Sequence, residues 1–125
     1  MIIEEAIKTF LLTKTTITNL VGQRIEYGKL PQGPTYPFLT FFRYSNPVDN
    51  DIDLAHTYLQ FDYWSTTYVG AFQLAYELRK ILKREKGRFS GIGVKQISFE
   101  EEDYVYEPDT KLHPVDNSFK VMYYE

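Results

Sequence analysis

Ile3, Ala6, Ile7, Phe10 and Leu11 recur three and four positions apart, a spacing that lines one face of a helix over about the first dozen residues. Its polar face carries Glu4, Glu5 and Lys8. Thr13 to Thr18 is rich in β-branched residues that disfavour helix, so the pattern predicts a bend, with Ile17, Leu20 and Val21 forming one short turn ended by Gly22. Arg24 to Tyr27 then reads as a short strand. Gly28, Pro31, Gly33, Pro34 and Pro37 break any regular structure in the loop that follows.

The pattern changes to a period of two from Phe38. Leu39 and Phe41 alternate with Phe38, Phe42 and Tyr44, so Phe38 to Tyr44 is expected to be a central strand with apolar residues on both faces. Ser45 to Asp53 is a polar turn or hairpin tip. It leads to a strand over Thr57 to Trp64, in which Leu59, Phe61 and Tyr63 share one face. Ser65, Thr66 and Thr67 offer N-cap hydroxyls to a second helix, whose stripe is Ala71, Leu74, Ala75, Leu78, Ile81 and Leu82 and whose natural stop is Gly87. Arg79, Lys80, Lys83, Arg84 and Lys86 are expected in its last two turns, where the exposed carbonyl end favours positive charge. Val94 to Phe99 and Val115 to Tyr124 read as further strands, separated by an acidic stretch and the turn at Glu107, Pro108 and Asp109.

These elements predict an α+β fold, with two main amphipathic helices on one face of a mostly antiparallel sheet of about five strands. A length of 125 residues fits a single domain spanning residues 1–125. The open sheet face then matters. Tyr58, Trp64 and Tyr124 alternate away from Leu59, Phe61 and Tyr123, leaving aromatic rings for a second subunit.

Composition sharpens this picture. Aromatic residues make up 17% of the chain, well suited to strands and protein interfaces. The absence of cysteine rules out a disulfide framework and thiolate metal sites and fits a reducing, cytoplasmic origin. Glu4 and Glu5 stand where a secretory signal needs basic residues, and no apolar run approaches membrane-spanning length, so no membrane association is expected. A net charge of −3 weighs against nucleic acid as a specific ligand.

Catalytic constellations find little support. His56 and His113 belong to no metal-ligand spacing, there is no nucleophile elbow, and Gly91 to Gly93 lacks the third glycine of a dinucleotide fingerprint. Asp49, Asp51 and Asp53 keep open the alternative of a metal-dependent hydrolase, but this loop lacks the glycine and distant glutamate of an EF-hand. Glu100 to Asp103 alternates faces if it continues a strand. Both acidic clusters read first as solvated surface. Arg79 to Arg88 keeps open a nucleic-acid-binding module, beside dipole complementation or contact with an acidic neighbour. No cofactor is expected. The loop from 28 to 37, stiffened by proline, loses less entropy on docking than a floppy one and reads either as an interface arm or as a connection that wraps the domain.

Three segments together carry a family resemblance: LVGQRIEYGKLPQGPTYPFLTFFRYS after the first helix, LQFDYWSTTYVGAFQLAYELRKIL in the middle, and EEDYVYEPDTKLHPVDNSFKVMYYE at the C-terminus. In order and spacing the chain resembles the tail-completion family of long-tailed bacteriophages and prophages, a group related to tail terminators and head-to-tail joining proteins. That resemblance implies a non-enzymatic virion subunit, made and assembled in the bacterial cytoplasm. It would form a ring, expected to be a hexamer, at the head-proximal end of the tail tube and offer a surface to the head connector. Its partners would be copies of itself, the tail-tube protein and head-connector proteins. Under this reading Leu30, Pro31, Tyr36, Tyr58 and Trp64 are candidate subunit contacts, and Arg79, Lys80, Lys83 and Arg84 a basic cluster for an acidic neighbour.

Overall fold

The computed structural model describes residues 1–125. The elements run α1 (Ile3–Leu12), α2 (Thr15–Val21), β1 (Ile25–Tyr27), β2 (Phe38–Ser45), β3 (Val48–Asp49), β4 (Leu54–Trp64), α3 (Tyr68–Leu82), β5 (Gly87–Phe89), β6 (Ile92–Tyr104) and β7 (Val115–Tyr124). The class is α+β, as the hydrophobic pattern predicts. The counts differ: there are three helices and a seven-stranded sheet, ordered β1-β2-β4-β7-β6-β5 with β3 beside β4. Every pairing is antiparallel except β1 with β2, which is parallel.

Each departure from the expected elements has a local cause. The threonine-rich bend folds as a full short helix, because Ile17 and Val21, four positions apart, are both completely buried and anchor it to the core. Between Ser45 and Asp53 the chain pairs briefly as β3, and β4 begins at Leu54 rather than Thr57, since β7 continues opposite it as far as Tyr124. Helix α3 stops at Leu82, before Gly87. There Arg84 takes a left-handed φ of 68°, its N–H donates to the Ile97 carbonyl (2.8 Å), and Ile97 N–H donates to Glu85 (3.0 Å). The sheet thus takes over the backbone that would have continued the helix. Lys83 and Arg84 lie beyond the last helical turn, which holds only Arg79 and Lys80.

β5 and β6 are joined by Ser90 and Gly91, both at positive φ (51° and 88°), the geometry of a tight two-residue hairpin. Strand β6 runs on through the acidic stretch to Tyr104, because β7 pairs with it down to Val115. A bulge between Phe99 and Glu101 absorbs Glu100, and β2 is internal but one strand from the β1 border rather than central.

The helices pack on the inner face of the sheet around a cluster of 25 buried apolar residues. Phe41, Phe61, Phe119 and Phe99 cross that face from β2 to β6, with successive ring centroids 4.8, 5.4 and 5.5 Å apart. Helix α1 lies against both β1 and β5, the two ends of the strand order, so the sheet curls around it. Phe10 of α1 stacks on Phe89 of β5 at 4.3 Å, while Lys8 pairs with Glu26 of β1. No helix is long and apolar enough to cross a membrane.

Candidate interaction surfaces

In register across the sheet, Phe38 pairs with Trp64, and Tyr63 with Val115, which in turn pairs with Tyr104. These residues mark one end of the strands, and two exposed features join the sheet there. One is the loop before Phe38; the other is where α3 begins and β6 ends.

Residues 28–37 carry no helix or strand, and Gly28 and Gly33 sit at positive φ (93° and 68°). Pro31 and Gln32 are exposed, while Leu30 and Tyr36 are half-buried. The loop is fastened at its base, where the Arg24 guanidinium donates to the Pro37 carbonyl at 2.9 Å. It therefore leaves the body from a fixed root.

At the other feature, α3 begins with an N-cap in which Thr67 Oγ1 accepts from Gly70 N–H (3.1 Å) and Ser65 Oγ accepts from Thr67 N–H (3.1 Å). Glycine at position 70 leaves the cap undisturbed: a Cβ would lie 2.6 Å from Thr67 Oγ1 and 2.8 Å from Ser65 Oγ. This cap turns Tyr68 toward β6. Its ring meets Phe72 (4.8 Å) and Tyr104 (5.3 Å), and His113 links Tyr106 (4.8 Å) to the same cluster. The Tyr104 hydroxyl lies 2.9 Å from His113 Nδ1, and His113 N–H donates to the Ser65 carbonyl. Val69 and Val105 flank the rings at 72% and 67% exposure, the highest of any large apolar side chains after Met1. This is an apolar surface patch of the kind that marks an interaction site. The sequence pattern did not single it out, since its two halves are far apart along the chain.

The open sheet face carries Tyr58 and Trp64, both half-buried. Trp64 has its indole N–H satisfied by Thr40 Oγ1 at 2.9 Å, and Tyr58 lies 6.0 Å from Tyr44. On the same face Asp62, Asp116 and Asp103 stand directly opposite one another on β4, β7 and β6. Burial pushes the Asp116 carboxyl up to about 8, helped by a hydrogen bond with Asp62 and by the charges of Asp62, Asp103 and Glu107. Toward the core, Tyr63 is fully buried, which raises its hydroxyl well above the usual tyrosine value. The buried Asn117 amide accepts from that hydroxyl (3.0 Å) and donates to Glu102 (2.9 Å), which lies 3.9 Å from Arg79.

The basic cluster is divided by its surroundings. Arg79 packs over Phe99 (5.2 Å to the centroid) and Lys80 over Tyr76 (5.2 Å), whereas Lys83 and Arg84 are exposed past the helix end. In the acidic loop, Asp49 accepts from Asp51 N–H at 3.0 Å, and no three carboxylate or histidine side chains of the molecule come together to hold a metal ion. A cleft of about 310 Å³ opens at the opposite end of the strands, between Met1, Ile2, Ile92 and Tyr124, with Arg43 beside it paired to Glu4 at 2.6 Å.

The model of a family described as tail completion protein gp17 matches residues 5–124. Among solved structures, the chain is similar to one in the virion of a native gene transfer agent (GTA) particle, with a TM-score of 0.77 and 15% identity, covering 96% of this chain and 92% of that one. The likeness at that identity is one of fold. No curated protein sequence matches.

Proposed function

The chain belongs to the tail completion protein gp17 family, and from that membership we propose that it closes the tail tube as a ring of identical subunits, expected to be a hexamer, and presents the head connector with a surface to join. It is a structural protein of the virion tail. No catalytic step belongs to this role. The whole chain works as one domain, made and assembled in the bacterial cytoplasm, with the tail-tube protein on one side of the ring and connector proteins on the other.

The observation that carries the ring reading is the pair of unlike exposed features at one end of the strands, the proline-stiffened loop and the aromatic patch, within a family member. A ring built head to tail needs two different complementary surfaces on each subunit. Leu30, Pro31 and Tyr36 on the loop, with Tyr58 and Trp64 on the open sheet face, remain the subunit-contact residues of this reading. Lys83 and Arg84, exposed beyond the helix, are free to meet an acidic neighbour, with Arg79 and Lys80 behind them.

Light scattering after size exclusion, over a range of protein concentration and with and without isolated tail tubes, tests the ring. A discrete oligomer of fixed stoichiometry, alone or on the tubes, is the expected result. Protein that stays monomeric alone and does not add to tube ends would refute it.

A further inference from the structure

The aromatic patch has no cover within its own chain, and three observations identify what fits it. The first is position. The loop joins β1 to β2, and the patch lies where β6 ends, so the two stand near opposite ends of the strand order, β1-β2-β4-β7-β6-β5. The in-register pairs Phe38 with Trp64, Tyr63 with Val115 and Val115 with Tyr104 put the point where the loop rejoins the sheet at the same end of the strands as the patch, while the N–H of Gly28, where the loop begins, donates to the Phe41 carbonyl. One copy thus carries two different surfaces that share an end of the strands, which a head-to-tail contact can use.

The second observation is chemistry. The patch is made of Tyr68, Phe72, Tyr104 and Tyr106, flanked by Val69 and Val105. The loop offers Leu30, Pro31, Pro34 and Tyr36, and proline-rich segments with little conformational freedom to lose dock on aromatic surfaces of this type. The third is charge. Residues 100–113 hold six carboxylates and one lysine, while the only charged residue in 28–37 is Lys29. Alongside the patch, no backbone hydrogen bond reaches the outer edge of β6 beyond Ile97, leaving donors and acceptors open to an extended segment.

We propose that residues 28–37 of one copy dock on the Tyr68–Tyr104 patch of the next, so that the loop is the plug and the start of α3 with the end of β6 the socket of the subunit contact. This rests on the ring reading above. It adds to that contact a receiving surface separate from the open sheet face that carries Tyr58 and Trp64.

The chain has no cysteine, so engineered pairs report cleanly. Gln32→Cys in the loop and Val69→Cys in the patch are both at exposed positions, which limits the risk to folding. The two single variants are mixed and oxidised under the conditions, alone or with tail tubes, in which the wild-type mass is measured. Mixed disulfide dimers should exceed by about tenfold those formed when Ile52→Cys, at the far end of the strands, replaces either partner. The double variant Gln32→Cys/Val69→Cys should give a ladder of covalent multimers, because a head-to-tail contact propagates. Wild-type rings together with cross-linking no stronger than the Ile52→Cys control would overturn the loop-and-patch contact and leave the ring standing. A ladder that stops at the dimer would overturn the head-to-tail geometry. Absence of any oligomer, alone or on tubes, would remove the ring and this contact with it.

Discussion

Asp62 and Asp116 stand directly opposite each other on β4 and β7, with a hydrogen bond between their carboxyl groups. Burial disfavours the ionised form of Asp116 and the facing Asp62 adds to it, so Asp116 keeps a proton that an isolated aspartate would lose. The folded protein therefore binds more protons than the unfolded chain between the ordinary carboxylate range near pH 4 and the raised value of about 8. The stabilisation from Asp116 is fully present below that window and is lost as pH rises through it. Chemical denaturation from pH 5 to 9 should show this component falling, by roughly 1–2 kcal/mol once solvent screening at this half-exposed face is allowed for. Asp116→Asn should flatten that fall and make the protein more stable than wild type at pH 9.

The α3 cap sets two effects against each other at Gly70. Alanine in a helix is favoured over glycine by about 1 kcal/mol, but its Cβ would displace the Thr67 and Ser65 hydroxyls that cap the helix. The displacement should win. Gly70→Ala is expected to lower stability by about 1 kcal/mol, and Thr67→Ala by a similar amount. In a Ser65→Ala/Thr67→Ala background the obstructing oxygens are gone, and Gly70→Ala should become stabilising, a change of sign readable in urea melts.

Asn117 and Tyr63 are both completely buried, and the Tyr63 hydroxyl depends on the Asn117 amide for its partner. Asn117→Ala leaves that hydroxyl, and the buried side of Glu102, without a donor or acceptor. The expected cost is about 2–3 kcal/mol. Tyr63→Phe in addition should recover part of it, so the double variant should be less destabilised than the sum of the two single variants.

Phe10 and Phe89 provide the contact between α1 and the β5 end of the sheet. Alanine at either position should cost about 2–4 kcal/mol, and a double-mutant cycle should return a coupling of about 1 kcal/mol for the stacked rings. Hydrogen exchange should show α1 loosening in both single variants before the β4 and β7 amides do.

Much of this fold is legible in the sequence where one periodicity dominates. Leu59, Phe61 and Tyr63 announce β4, Phe119, Val121 and Tyr123 announce β7, and the stripe from Ala71 to Leu82 announces α3. Reading fails where tertiary pairing overrides local preference. Glu100 to Asp103 has the composition of a solvated turn, yet β7 pairs with it and the bulge at Glu100 turns Glu102 toward Asn117. Gly87 looks like a helix stop, but the bonds between Ile97 and the Arg84–Glu85 segment end the helix earlier. The loop from 28 to 37 was visible through its prolines. The patch was not, because Tyr68 reads as the first turn of a helix and Tyr104 to Tyr106 as the end of an acidic stretch. Only the register of β6 on β7 and the turn from β4 into α3 bring them together. The Asp62 and Asp116 pair is likewise a matter of register, which alternation alone leaves undetermined.

Helix α1 fastens the two borders of the curled sheet to one rod, through Phe10 on one side and Lys8 on the other. Strand ladders are held by directional backbone hydrogen bonds, whereas α1 meets β1 and β5 through side chains. No ladder joins β1 to β5, so the closure of the sheet depends on side chains alone, and a change that loosens α1 releases both borders at once.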